Sequence, residues 1–125
     1  MKPDIIIKGR IPSKKNSRQQ IQVRGRTINI PSKDYLDWHK QALVQVFEQT
    51  SAQYENVWQV VIEFWMPDNR KTDLTNKAES VMDLLVDCKI LKDDCWQQVK
   101  SVLLNCNGID KENPRAEIWI QKHES

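Results

Sequence analysis

The ten residues Val57-Trp-Gln-Val-Val-Ile-Glu-Phe-Trp-Met66 constrain the fold more than any other stretch of the chain. β-branched and aromatic side chains at this density suit a pleated, half-buried surface and crowd the turns of a helix. The segment therefore reads as the strongest strand, and Pro67-Asp68-Asn69 ends it. A different period follows at once. Leu74, Ala78, Val81, Met82, Leu85 and Val86 recur at spacings of three and four, which predicts a helix over about 73–88.

The remaining elements follow from the same two periods. Residues 4–11 read as a strand ending at Pro12, and Ser13-Lys-Lys-Asn-Ser-Arg18 as a polar, basic loop. Residues 20–30 read as a hairpin turning at Arg24-Gly25-Arg26 and closed by Pro31. Ser32 is the N-cap of a helix to about Gln49, with Tyr35, His39, Ala42, Leu43, Val46 and Phe47 facing the core. Residues 97–106 and 115–122 are two closing strands, joined as a second hairpin through the turn-rich segment 107–114. Strands and helices alternate only in part. The expectation is one α+β domain over residues 1–125, a two-layer arrangement with two helices on one face of a mixed sheet.

Composition narrows the class. The chain is 39% hydrophobic and 29% charged, a balance found in folded globular proteins rather than disordered ones. It has no run of 18 apolar residues, and the N-terminal apolar stretch Ile5-Ile-Ile7 is too short for a signal peptide, so a cytoplasmic, non-membrane protein is expected. Cys88, Cys95 and Cys106 form no CxxC pair, which argues against a zinc knuckle or a disulfide scaffold. Charge is unevenly spread. Residues 1–33 carry nine basic side chains against one acidic, a net +8, and residues 34–125 carry ten against sixteen, a net −6. A basic N-terminal quarter is a candidate anion-binding surface.

The acidic residues gather around the predicted second helix. Asp73 stands at its start, Thr75 and Glu79 form an i,i+4 pair, and Asp83 and Asp87 continue a polar stripe. Lys77, Ser80 and Asn76 lie on the same side as Asp73. The loop Lys89–Asp94 can fold back and bring Asp93 or Asp94 toward the helix start. Carboxylates from two segments are what a hard cation such as Mg²⁺ requires, and Arg70 and Lys71 beside them suit a phosphodiester. Residue by residue, the plainer reading is an N-cap, solvated carboxylates and a turn.

From Asp73-Leu-Thr-Asn-Lys-Ala-Glu79 through Asp83-Leu-Leu to Lys92-Asp-Asp94, the chain resembles the RusA-like family of Holliday junction resolvases, often carried by phages and prophages. The resemblance implies a homodimer in the bacterial host cytoplasm. That dimer would cut paired strands of four-way DNA junctions with Mg²⁺, or Mn²⁺ in its place. The family pattern Asp-x-Asp-Asn-x-x-Lys, with an aspartate from a later Asp-Asp loop, maps Asp73, Asn76 and Asp94 onto this chain. Two positions depart: Thr75 stands for the second aspartate and Glu79 for the lysine. One helical turn separates them on one face, so Glu79 can restore the carboxylate missing at 75.

The implied metal ligands are therefore Asp73, Glu79, Asp94 and its neighbour Asp93, with Lys77 supplying positive charge to catalysis. Lys77 is equally read as a solvated helix lysine balancing Asp73. DNA contacts are expected from Lys14, Lys15, Asn16 and Arg18 in the basic loop, from Arg24 and Arg26 at the hairpin tip, and from Arg70, Lys71 and Asn76. A DNA-junction binding protein that has lost cleavage is the alternative reading. Trp58 and Trp65 differ in parity, so only one need be core, and Trp38, Trp96 and Trp119 suit a core or dimer interface better than base stacking. His39 is read as structural, and His123 as part of a frayed tail.

Overall fold

In a computed structural model, which describes residues 1–13 and 18–122, the chain runs through eight elements. They are β1 (Ile5–Lys8), β2 (Arg18–Val23), β3 (Arg26–Pro31), α1 (Lys33–Gln49), β4 (Val57–Met66), α2 (Leu74–Asp87), β5 (Val99–Ile109) and β6 (Arg115–Lys122). A four-stranded mixed sheet has the order β1-β6-β4-β5, and β2 with β3 forms a separate two-stranded sheet. The architecture is α+β, as the sequence periods predict.

β4 lies inside the sheet and pairs on both sides, parallel to β5 and antiparallel to β6. A parallel pair cannot be closed by a tight turn, and α2 is the crossover that joins β4 to β5. The expected second hairpin is therefore absent, because β4 stands between β5 and β6. β5 also runs on to Ile109, past the Asn107-Gly108 pair that suggested a turn. The connection after it crosses the end of β4, where the Asp110 N–H donates to the Met66 carbonyl at 2.8 Å. Arg115 pins this crossing. Its guanidinium donates to Asp110 and Glu117 at 3.0 and 2.7 Å and lies 4.0 Å from the Trp65 ring centroid.

Both helices cover one face of the sheet. Val60, Ile62 and Phe64 of β4, Ile5 and Ile7 of β1, and Ala116, Ile118 and Ile120 of β6 are buried with Ala42 and Val46 of α1 and Val81, Leu84 and Leu85 of α2. Strand periodicity sends the alternate residues Val61, Glu63, Trp65, Glu117 and Trp119 to the other face, where they are only half-buried. Trp65 sits on that open face and Trp58 is 51% exposed, so neither of the two joins the core. Trp38 packs against the core, whereas Trp96 is 72% exposed and is no core residue.

Local chemistry sets the element ends. Ser32 Oγ accepts from the Tyr35 N–H at 3.1 Å and caps α1. Arg24 and Gly25 both have positive φ, 52° and 78°, the requirement of a type I′ hairpin turn. α1 docks on the β1 edge through amide side chains. Gln49 Oε1 accepts from the Ile6 N–H at 2.7 Å while its Nε2 donates to the Ile6 carbonyl at 2.6 Å. Gln45 repeats the pattern on Lys8, at 2.7 and 3.4 Å. These two side chains satisfy backbone groups that an edge strand otherwise presents to any passing strand.

Leu84 is fully buried at the centre of this helix–sheet layer. Leu84→Ala is expected to lower unfolding free energy by about 2–5 kcal/mol through lost burial and the cavity left behind. Urea unfolding with an unchanged m-value checks this.

Candidate functional site

The site is organised by the first two turns of α2, which start just beyond the carboxyl end of β4. Asp73 occupies the N-cap position with extended backbone (φ −85°, ψ 126°), yet its side chain makes no cap hydrogen bond. Instead its Oδ2 accepts from Asn76 Nδ2 at 3.2 Å. Asn76 is buried, so this contact fixes the Asp73 carboxylate from beneath. The carboxylate is thus oriented by a neighbour and is not consumed by the helix.

Glu79 and Asp83, one turn apart, share a cleft of about 510 Å³ with Thr75 and with Asp94 from the loop after α2. Val102 and Leu104 of β5 form its apolar wall. The loop brings Asp94 to the side of α2 that carries Glu79 and Asp83. Burial pushes the Asp94 carboxyl above its ordinary range, and the hydrogen bond and charge of Asp93, then the charge of Asp83, push it further. Asp93 also closes the turn, since its Oδ1 accepts from the Asp94 N–H at 2.7 Å. Asp73 is not among the residues lining this cleft.

The predicted metal ligands are therefore only partly assembled. Glu79 and Asp94 meet with Asp83 in one cleft, while Asp73 and Asp93 line neither this cleft nor the neighbouring one. Among the described residues, no three His, Cys, Asp or Glu groups lie close enough to hold a metal ion by themselves. Mg²⁺ does not demand such a cage, because one or two carboxylates commonly hold it while water and substrate phosphate complete its shell. An all-oxygen set with mutual repulsion at Asp94 fits a hard divalent cation in that manner.

The other side of α2 faces a cationic pocket of about 380 Å³ lined by Arg10, Arg70, Lys71 and Lys77, with Asp34 and Asp68. Lys77 is only 5% exposed and its Nζ donates to the Ile11 carbonyl at 2.5 Å. This corrects the sequence reading of Lys77 as a solvated lysine balancing Asp73. It is not solvated, and it points away from the acidic cleft because it falls on the same helix stripe as Ser80, Val81 and Leu84. Among the described residues it makes no ion pair. Burial lowers its pKa, and the nearby Arg10 charge lowers it further. Ser80 Oγ donates to the Pro12 carbonyl at 2.7 Å, so α2 holds the 11–13 segment at two points.

Asp68 organises the pocket mouth. It pairs with Arg10, and its Oδ1 accepts from the Arg70 N–H at 3.0 Å. Arg10, Asp34, Asp68 and Asp83 are members of the two clefts that sequence reasoning did not assign to a site. Asp83 stood four residues from Glu79 and was visible, whereas Arg10 and Asp68 meet only through the tertiary fold.

The remaining candidates are scattered. Lys14, Lys15 and Asn16 lie outside the described residues, as does His123, and Arg18 begins β2. Arg24 and Arg26 stand at the exposed tip of the β2–β3 hairpin. His39 Nε2 lies 2.7 Å from Asp87 Oδ2 and ties α1 to α2. Tyr35 beside it has its hydroxyl pKa pushed up to about 12, first by burial and then by the charges of Asp83 and Asp87. Cys88 is a buried free thiol, raised to about 11 by burial and then by Asp87, which leaves it unreactive at neutral pH. No helix of the described residues is long and apolar enough to cross a membrane.

No protein-family model matches the chain, and no curated protein matches it.

The Asp94 shift has a definite sign. A carboxyl whose pKa is raised by folding favours its protonated form, so its contribution to stability is present at acid pH and lost as pH rises through the folded-state pKa. In Asp93→Asn, where a raising charge is removed, the Asp94 midpoint is expected to fall. Carboxyl ¹³C NMR titration of both proteins reads it directly, and an unmoved midpoint would count against the assigned cause.

Proposed function

We propose that the protein is a Mg²⁺-dependent, structure-selective DNA endonuclease that resolves four-way junctions, as its resemblance to RusA-like resolvases implies. The observation that supports this best is the pairing of two clefts across one helix. Glu79, Asp83 and Asp94 line an oxygen-rich cleft on one side, and Arg10, Arg70, Lys71 and Lys77 line a cationic pocket on the other. Phosphodiester hydrolysis needs both kinds of group, one to hold a cation at the reacting phosphate and one to hold the strand.

In this reading Glu79 and Asp94 would hold the cation, with water and the substrate phosphate completing its shell. A Mg²⁺ or Mn²⁺ held there would supply Lewis-acid polarisation of the phosphate and a lowered pKa for an attacking water. The rest is done by the chain itself. Arg70 and Lys71 precede the α2 N-terminus and draw the DNA backbone toward it, aided by the positive end of the helix dipole. Asn76 holds the Asp73 carboxylate at the start of α2. A homodimer would present two such sites to opposed strands of a two-fold symmetric junction. This reading places the enzyme in the bacterial host cytoplasm, as the resemblance to a phage or prophage family implies.

Thr75 favours a second reading, a junction-binding protein without cleavage, because it leaves the first helical turn one carboxylate short of the family pattern. Incubation of the protein with labelled four-way junction and linear duplex, with and without Mg²⁺, separates the two. Paired nicks confined to the junction and dependent on the cation are expected. Binding in EDTA with no nicks on adding Mg²⁺ or Mn²⁺ would establish the second reading. Glu79→Gln should reduce cleavage by at least the ~10–100-fold that losing a mere outer-shell partner costs a metal site. Near-wild-type cleavage by that variant would remove Glu79 from the ligand set.

A further inference from the structure

We infer that the pocket beneath Arg10, Arg70 and Lys71 is a preformed phosphate-binding site, with the Lys77 ammonium as its floor, separate from the cleft where the strand is cut. Several independent features converge there. An ammonium carries three donors, and Lys77 spends one on the Ile11 carbonyl. At 5% exposure, with no ion-pair partner among the described residues, the remaining charge is costly to bury unless an anion answers it. Ser13 Oγ, on the same pocket wall, is buried and has no hydrogen-bond partner among the described residues. Each of these is a donor waiting for an acceptor.

The charge identifies the class of ligand. Among the described residues, four cations against Asp34 and Asp68 leave the lining at net +2, an excess of positive charge that suits a phosphate, monoester or diester. Asp68 is already engaged with Arg10 and the Arg70 backbone, so it holds the mouth in shape and makes no ion pair with Lys77. A volume of about 380 Å³ exceeds the needs of a phosphate alone and leaves room for an attached sugar. The assignment of that phosphate to DNA rests on the function proposed above. The phosphate has two possible sources on a DNA strand, a 5′-terminal monoester or an internal phosphodiester.

The test uses the full chain in EDTA at constant ionic strength, so that no cleavage intervenes. Inorganic phosphate is titrated by calorimetry against the wild type, Lys77→Met and Arg70→Gln. Saturable binding that weakens at least tenfold in each variant is expected, and Arg70→Gln, at an exposed position, keeps the test informative if Lys77→Met fails to fold. Absence of phosphate binding, or binding equal in wild type and a folded variant, overturns the site. Single strands with and without a 5′-phosphate are then competed against inorganic phosphate. A tenfold preference for the phosphorylated strand identifies the terminal monoester, and equal affinity with full competition identifies the internal diester. No competition by phosphate for either strand overturns the DNA assignment. Cation-dependent junction cleavage by a protein that binds no phosphate would defeat this inference and leave the proposed function standing. Phosphate binding without cleavage would do the reverse.

Discussion

Everything in this structure depends on β4 having a partner on each side. Its ten residues, rich in β-branched and aromatic types, supply hydrogen bonds to β5 in one direction and to β6 in the other. Because β5 is parallel, the chain must travel back over the sheet, and α2 is that return. Its first turn is thereby delivered to the carboxyl end of β4, where loops from separate parts of the chain gather. In open α/β arrangements this end of the strands is where ligands bind, because helix N-termini and connecting loops converge there.

α2 works as a partition. Its surface meets three environments. Leu84, Leu85 and Val81 face the core, Glu79 and Asp83 face the loop bearing Asp94, and Lys77 faces the loop after β1. Opposite charges are thus kept apart by the helix body instead of pairing across it. Had Lys77 stood one position earlier or later, rotation by 100° would have carried it off the side that lines the cationic pocket.

Much of this was legible in the sequence. The bounds of β4 and α1 follow from side-chain period and from Pro67 and Ser32, and the β2–β3 turn follows from Arg24-Gly25. Strand neighbours were not legible, since a short connection such as 110–114 suits a hairpin and equally suits a step across β4. Lys77 is the instructive residue. Its spacing from Ser80, Val81 and Leu84 placed it on the buried stripe, but its charge made a solvated reading attractive. Glu79 and Asp83 could be matched by helical spacing, and Asp94 by its loop. The Arg10–Asp68 pair spans 58 residues and no local pattern announces it.

The amide side chains of Gln45 and Gln49 give the sheet a direction. By matching the outward N–H and C=O groups of Ile6 and Lys8, they act as a false strand and terminate the sheet chemically at β1. Extension there would first require peeling α1 from the domain. The opposite boundary is β5, whose sole strand neighbour among the described residues is β4. Any growth of the sheet by strand addition is thus channelled to the side where Val102 and Leu104 form a wall of the acidic cleft. Assembly and chemistry share a border at that edge.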